Sequence, residues 1–146
     1  MDLSKDLSEF IKSLNSNNVD YVIVGGYAQA FHGRPRFTGD IDVLIRPSAE
    51  NAARLQSALS QFGFGHLGLR EEDFTREEQV IQLGVAPNRI DVLTSLTGCN
   101  FEDVWATRVP AKIAGLPVNF ISKEQYVRNK SAVGRPQDLA DLEALS

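Results

Sequence analysis

Leu3, Leu7, Phe10, Ile11 and Leu14 recur at the spacing of one helical face, and the polar run at 15–18 ends the pattern, so the chain opens with an amphipathic helix. Residues 21–24 are apolar without a break and rich in β-branched side chains; ending at Gly25-Gly26, they predict a buried strand that turns sharply. Helical character follows over 27–32. Residues 40–45 then read as a second strand, closed by Arg46-Pro47 and followed by a helix over 48–62. Two further apolar runs, 79–83 and 89–93, are joined through 84–88 as a hairpin, and 101–108 predicts another helix. A second small hairpin pairs 111–113 with 117–121 around Ala114-Gly115-Leu116. Ser122 with Gln125 has the pattern of a capping box opening a helix that stops at Gly134, and Pro136 sits where a last helix begins. Strands alternating with helices place the chain in the α/β (α+β) class, with a mixed sheet of about five strands flanked by helices. A length of 146 residues predicts one domain, 1–146, with a helical C-terminal tail.

Alternation also marks the chemistry. In a strand, residues two apart share a face, so Asp40 and Asp42 project together about 6.6 Å apart while Ile41 and Val43 face the other way. Two carboxylates about 5 Å apart repel by roughly 3 kcal/mol at an effective dielectric near 20, and a shared divalent cation reverses the sign. Magnesium, which takes a few carboxylate oxygens and fills its other positions with water and phosphate, is the simplest cation to expect there. Asp91 is a third acid in an apolar strand, and a neighbouring strand would bring it beside the pair. Three acids can hold two ions about 3.5 to 4 Å apart. The plainer alternatives are a solvated strand end for Asp40 and Asp42, and a sheet edge for Asp91 beside Arg89. Gly25-Gly26, between a buried strand and a helix, lets backbone N–H groups approach a phosphate; a tight turn with no ligand is the plain alternative.

Charge and composition narrow the partners. A formal net charge of -4 argues against broad sequence-independent binding to DNA or RNA, which needs a basic face. The first residues carry no apolar core of signal-peptide length, and no run approaches the roughly 18 apolar residues of a membrane span, so a cytoplasmic protein is expected. Cys99 is the only cysteine, which excludes an intrachain disulfide and a cysteine metal cage. His32 and His66 lack metal-ligand spacing and are assigned no role. No Gly-x-Gly-x-x-Gly, Gly-Lys-Ser/Thr or Gly-x-Ser-x-Gly motif is present, which disfavours dinucleotide, P-loop and serine-hydrolase chemistry.

Taken in order, Val24-Gly25-Gly26, Arg36-Phe37-Thr38-Gly39-Asp40-Ile41-Asp42 and the isolated Asp91 resemble the DNA polymerase β-like nucleotidyltransferase superfamily. The resemblance covers about residues 20–93. It implies the nucleotidyltransferase fold and two Mg²⁺ ions on Asp40, Asp42 and Asp91. With these come a nucleoside triphosphate, ATP in the first instance, against the Gly25-Gly26 turn, and transfer of a nucleoside monophosphate to an acceptor hydroxyl with release of pyrophosphate. Asp40 and Asp42 would ligate both metals, Asp91 would complete one and accept the acceptor proton, and Arg36 and Thr38 would orient the acids or touch the nucleotide. The closing segment, from Lys130 through Gly134, Arg135 and Asp138 to Asp141, is similar to the tail of small bacterial members, some paired with toxins. Lys130 and Arg135 there either reach the phosphates or form a solvated helix end. With no second helical domain to grip an acceptor, contacts with it would come from a partner such as a toxin protein or an RNA. The rival reading is a non-catalytic, antitoxin-like binding module that keeps the fold and occludes a partner protein.

Overall fold

A computed structural model describes residues 4–33, 39–64, 68–84 and 89–145. The chain runs through α1 (Lys5–Ser16), β1 (Tyr21–Val24), α2 (Gly25–Phe31), β2 (Ile41–Ile45) and α3 (Ala49–Leu59), then β3 (Val80–Leu83) and β4 (Ile90–Leu93). It closes with α4 (Phe101–Ala106), β5 (Val109–Ile113), β6 (Leu116–Phe120), α5 (Lys123–Val133) and α6 (Pro136–Leu145). The six strands form one mixed sheet in the order β3-β4-β2-β1-β6-β5. Both expected hairpins form, β3 with β4 and β5 with β6, each antiparallel. The non-local pairings are β2 with β4 and β1 with β6, both parallel.

Register fixes which side chains share a face. Tyr21 and Ile23 lie opposite Ile45 and Val43, while Ile41 and Val43 lie beside Ile90 and Val92. All of these are buried. The Tyr21 hydroxyl donates to Asn15 at the end of α1 (2.9 Å), and Ser13 of α1 donates to the Ala58 carbonyl of α3 (2.7 Å), so these two helices cover that face. Leu7, Phe10, Ile11 and Leu14 are the buried stripe of α1, as their spacing predicts. Ser4 caps the helix by accepting from the Leu7 amide at 3.2 Å.

Asn51, buried in the first turn of α3, accepts from the Asp20 amide (2.7 Å) and donates to the Asp20 and Arg46 carbonyls (both 3.0 Å). It ties the start of β1 to the end of β2. Arg46 pairs with Asp20 at 2.8 Å and with Glu102, and lies over the rings of Phe101 and Trp105.

Three local features differ from the sequence expectation. The helix expected over 48–62 ends at Leu59, passing into a π-helical turn, Ser60–Phe64, in which Gly63 has φ +109°. A 3-10 turn, Glu71–Phe74, inserts Phe74 fully into the core from an acidic stretch with no periodicity to announce it. Only half of the Ser122–Gln125 box is made: Ser122 Oγ accepts from the Gln125 amide at 3.2 Å, while Gln125 Oε1 is buried without a hydrogen-bond partner. No helix among the described residues is long and apolar enough to cross a membrane.

Candidate active site

The second face of the sheet carries the acids. Asp42 stands in register between Val24 of β1 and Asp91 of β4, so the two carboxylates leave adjacent strands on the same side. Asp40 lies two residues earlier, one position before β2 begins. The chain leaves β1 directly into Gly25, whose φ is +67°, and a β-carbon added there would overlap Asp42 Oδ2. Glycine is thus required at 25 twice, by the left-handed backbone and by the carboxylate against it. Gly26 follows in the first turn of α2.

Crowding raises the Asp42 carboxyl to about 7. Burial is the largest cause; the adjoining Asp91 adds to it as hydrogen-bond partner and as like charge, and Asp40 as a further like charge, while Lys130 opposes the shift. Asp91 Oδ1 is buried with no hydrogen-bond partner. Arg89 reaches two of these groups: its Nη2 donates to Asp40 Oδ2 at 2.6 Å and its Nε lies 3.8 Å from Asp91 Oδ1. Arg89 therefore does more than mark a sheet edge, since its guanidinium answers two of the three acids.

Lys130, in the last turn of α5, is 15% exposed and held by two buried acids of α6, Asp138 Oδ1 at 3.2 Å and Asp141 Oδ2 at 3.4 Å. Its ammonium also lies 5.5 Å from the Tyr126 ring centre. The expectation of a solvated helix end does not describe Lys130. It does describe Arg135, 69% exposed and paired with Asp138. Arg135 and Lys130 together hold the Asp138 carboxyl well below the usual carboxylate range, Arg135 contributing most. The tail is fastened to α2, where Gln29 Nε2 donates to the Asp141 carbonyl at 3.1 Å and Gln29 Oε1 accepts from the Tyr126 hydroxyl.

The structure thus gathers Asp40, Asp42, Asp91, Gly25, Gly26 and Lys130 around the N-terminal ends of β2 and β4. Arg36 and Thr38 lie outside the described residues. Among the described residues no three acids, histidines or cysteines are drawn into a ready cation cage. Asp42 and Asp91 adjoin, and Asp40 is engaged by Arg89. The donor set still suits a hard divalent ion: all-oxygen, crowded enough to hold a proton in place of a cation, and with one buried oxygen lacking a partner. Sequence reasoning passed over Arg89, Gln29, Tyr126, Asp138 and Asp141 as parts of this site. Asp138 and Asp141, three apart on one helix, carried a signal for a shared partner. Gln29 carried none. His32 Nε2 lies 2.6 Å from the Ile121 carbonyl.

Solved structures share this fold at low sequence identity. The Thermotoga maritima protein TM1012, assigned as a nucleotidyltransferase, superposes with a TM-score of 0.64 at 15% identity over 94% of this chain and 88% of its own. ANT(2″)-Ia, in complex with adenylyl-2″-tobramycin, gives 0.57 at 16% over 95% and 84%. An antigenic nucleotidyltransferase-like protein of Paracoccidioides brasiliensis gives 0.54 at 18% over 96% and 72%. No curated protein matches the chain in sequence. The fold is shared with these nucleotidyltransferase structures, and a family model described as a nucleotidyltransferase of unknown function (DUF6036) matches residues 2–146, so the chain belongs to the DUF6036 family.

Proposed function

We propose that the protein transfers a nucleoside monophosphate from a nucleoside triphosphate, ATP in the first instance, to an acceptor hydroxyl with release of pyrophosphate. The observation that carries this reading is the contact set of Asp42: Asp91 on the next strand, Asp40 two residues back, and Gly25 pressed against its carboxylate. Asp40, Asp42 and Asp91 would hold Mg²⁺, two ions in the full complement, which when bound supplies charge neutralisation of the phosphates. Asp42 would serve as a ligand in its deprotonated form, and Asp40, which pairs with Arg89 here, would supply a further carboxylate oxygen. The Gly25-Gly26 backbone N–H groups and the Lys130 ammonium receive the triphosphate oxygens. Arg36 and Thr38 are assigned the nucleotide side of the site by the family pattern alone. The acceptor oxygen attacks the α-phosphorus, its proton passes to an Asp91 carboxylate oxygen, and the bond from the α-phosphorus to the bridging oxygen breaks to release pyrophosphate. Most of the rate enhancement in such a site comes from positioning and charge.

Incubation with α-labelled ATP, Mg²⁺ and cell extract tests the proposal. The native chain labels an acceptor, and Asp42→Asn or Asp91→Asn lowers labelling by about 100-fold or more. Sensitivity of the label to protease or to ribonuclease then separates a protein acceptor, such as a toxin, from an RNA. Equal labelling by native and variant proteins, or none by either, removes the enzymatic reading and leaves partner occlusion.

A further inference from the structure

Asp141 is the least expected residue of the tail. Asp138 is the third residue of α6, and its Oδ2 accepts from the Arg135 amide at 3.2 Å, an ordinary duty at a helix start. Asp141 lies a turn further on, where a carboxylate has no free backbone N–H to receive. It is nevertheless buried, and its Oδ2 is 3.4 Å from Lys130 Nζ. A buried acid in a helix interior is costly unless a cation answers it, and this pair is tied through Gln29 to α2, the helix that begins at Gly25 against the Asp42 carboxylate.

We propose that Asp138 and Asp141 are positioning residues that hold the Lys130 ammonium beside the acid cluster, where it meets the phosphates of the nucleotide. The inference rests on the nucleotidyltransferase reading above. Lysine has long, freely rotating links and loses much rotamer freedom when it contacts a ligand; two carboxylates that fix it beforehand remove that loss from the binding step. The arrangement reaches the other side of the site through Gln29, which binds the Asp141 carbonyl and the Tyr126 hydroxyl from α2, the helix that begins at the glycine pair. Glycine turn and lysine are thereby set at a fixed spacing by one buried polar network. Asp138 also serves the helix start, so its removal can unfold α6; Asp141 lies beyond that first turn and is the residue to test.

The test is calorimetric titration with Mg²⁺ and ATP of the native chain, Lys130→Gln, Asp141→Asn and the double variant, with adenosine as a phosphate-free probe. Lys130→Gln should weaken ATP binding by about 10-fold or more, Asp141→Asn by about 5-fold, and the double variant no more than Lys130→Gln alone, because the aspartate acts through the lysine. Adenosine affinity should change by less than about 2-fold in all of them. A second arm needs no nucleotide: in the native protein the Lys130 ammonium gives a slowly exchanging NMR signal that Asp141→Asn abolishes while the melting transition stays cooperative. ATP binding unaltered by Asp141→Asn, multiplying losses in the double variant, or a native lysine signal no slower than that of an exposed lysine each overturn the positioning role. A native chain that binds no nucleoside triphosphate overturns the enzymatic reading itself, and with it this one.

Discussion

Burial and like charge keep the Asp42 carboxyl protonated well above the usual carboxylate range. Its carboxyl is raised to about 7 by burial and by Asp91 and Asp40, so the folded protein binds that proton more tightly than the unfolded chain, whose aspartates titrate near about 3.9. In chelator, the contribution of this group is greatest below the unfolded value, declines as pH climbs, and is gone above about 7. Thermal unfolding in EDTA should fall by about 5 °C between pH 5 and pH 8 in the native protein, and should change much less in Asp42→Asn. Asp138 has the opposite sign, since its carboxyl is held low by Arg135 and Lys130: its contribution is complete at neutral pH and is lost only in strongly acid solution. The two groups therefore act in separate windows. Gly25→Ala should displace the Asp42 carboxylate and strain the backbone, lowering stability by about 2 kcal/mol in chemical denaturation and abolishing calorimetric ATP binding.

At the level of elements, short apolar runs bounded by turn residues identified the six strands of the sheet. Both hairpins were legible for the same reason, their partners being close in sequence. The acids were legible as odd residues in otherwise apolar strands. The charges that answer them were not: Arg89 lies 49 residues from Asp40, and no local pattern links the two. The tail was legible as a helix but its docking on α2 was not, since Gln29 there reaches a main-chain carbonyl, which carries no periodicity. Phe74 is a lone aromatic in an acidic stretch, and its burial follows from what surrounds it rather than from its neighbours in sequence. Asn51 shows how much one polar residue can join: it makes bonds to both ends of the β1–β2 pair. Asn51→Leu would leave these backbone groups without that partner and should lower the unfolding free energy by about 3 kcal/mol in urea titration.

Over the whole molecule, the formal net charge is -4, a balance that disfavours sequence-independent attraction to a phosphate backbone. A labelled duplex of random sequence should show no saturable anisotropy change with up to about 100 µM protein at physiological salt. If an RNA proves to be the acceptor, it must be picked out by local shape rather than by bulk attraction. The pairing of β2 against β1 and β4 has an evolutionary consequence. Ile41, Val43 and Ile45 seal the interior with the same two-residue rhythm that sets Asp42 beside Asp91. Insert or delete a single amino acid ahead of Asp42, and every side chain beyond the change turns to the opposite side of the sheet, carrying the acid into the interior. Folding and chemistry would collapse in one event, so point substitution is the only path by which this segment can drift.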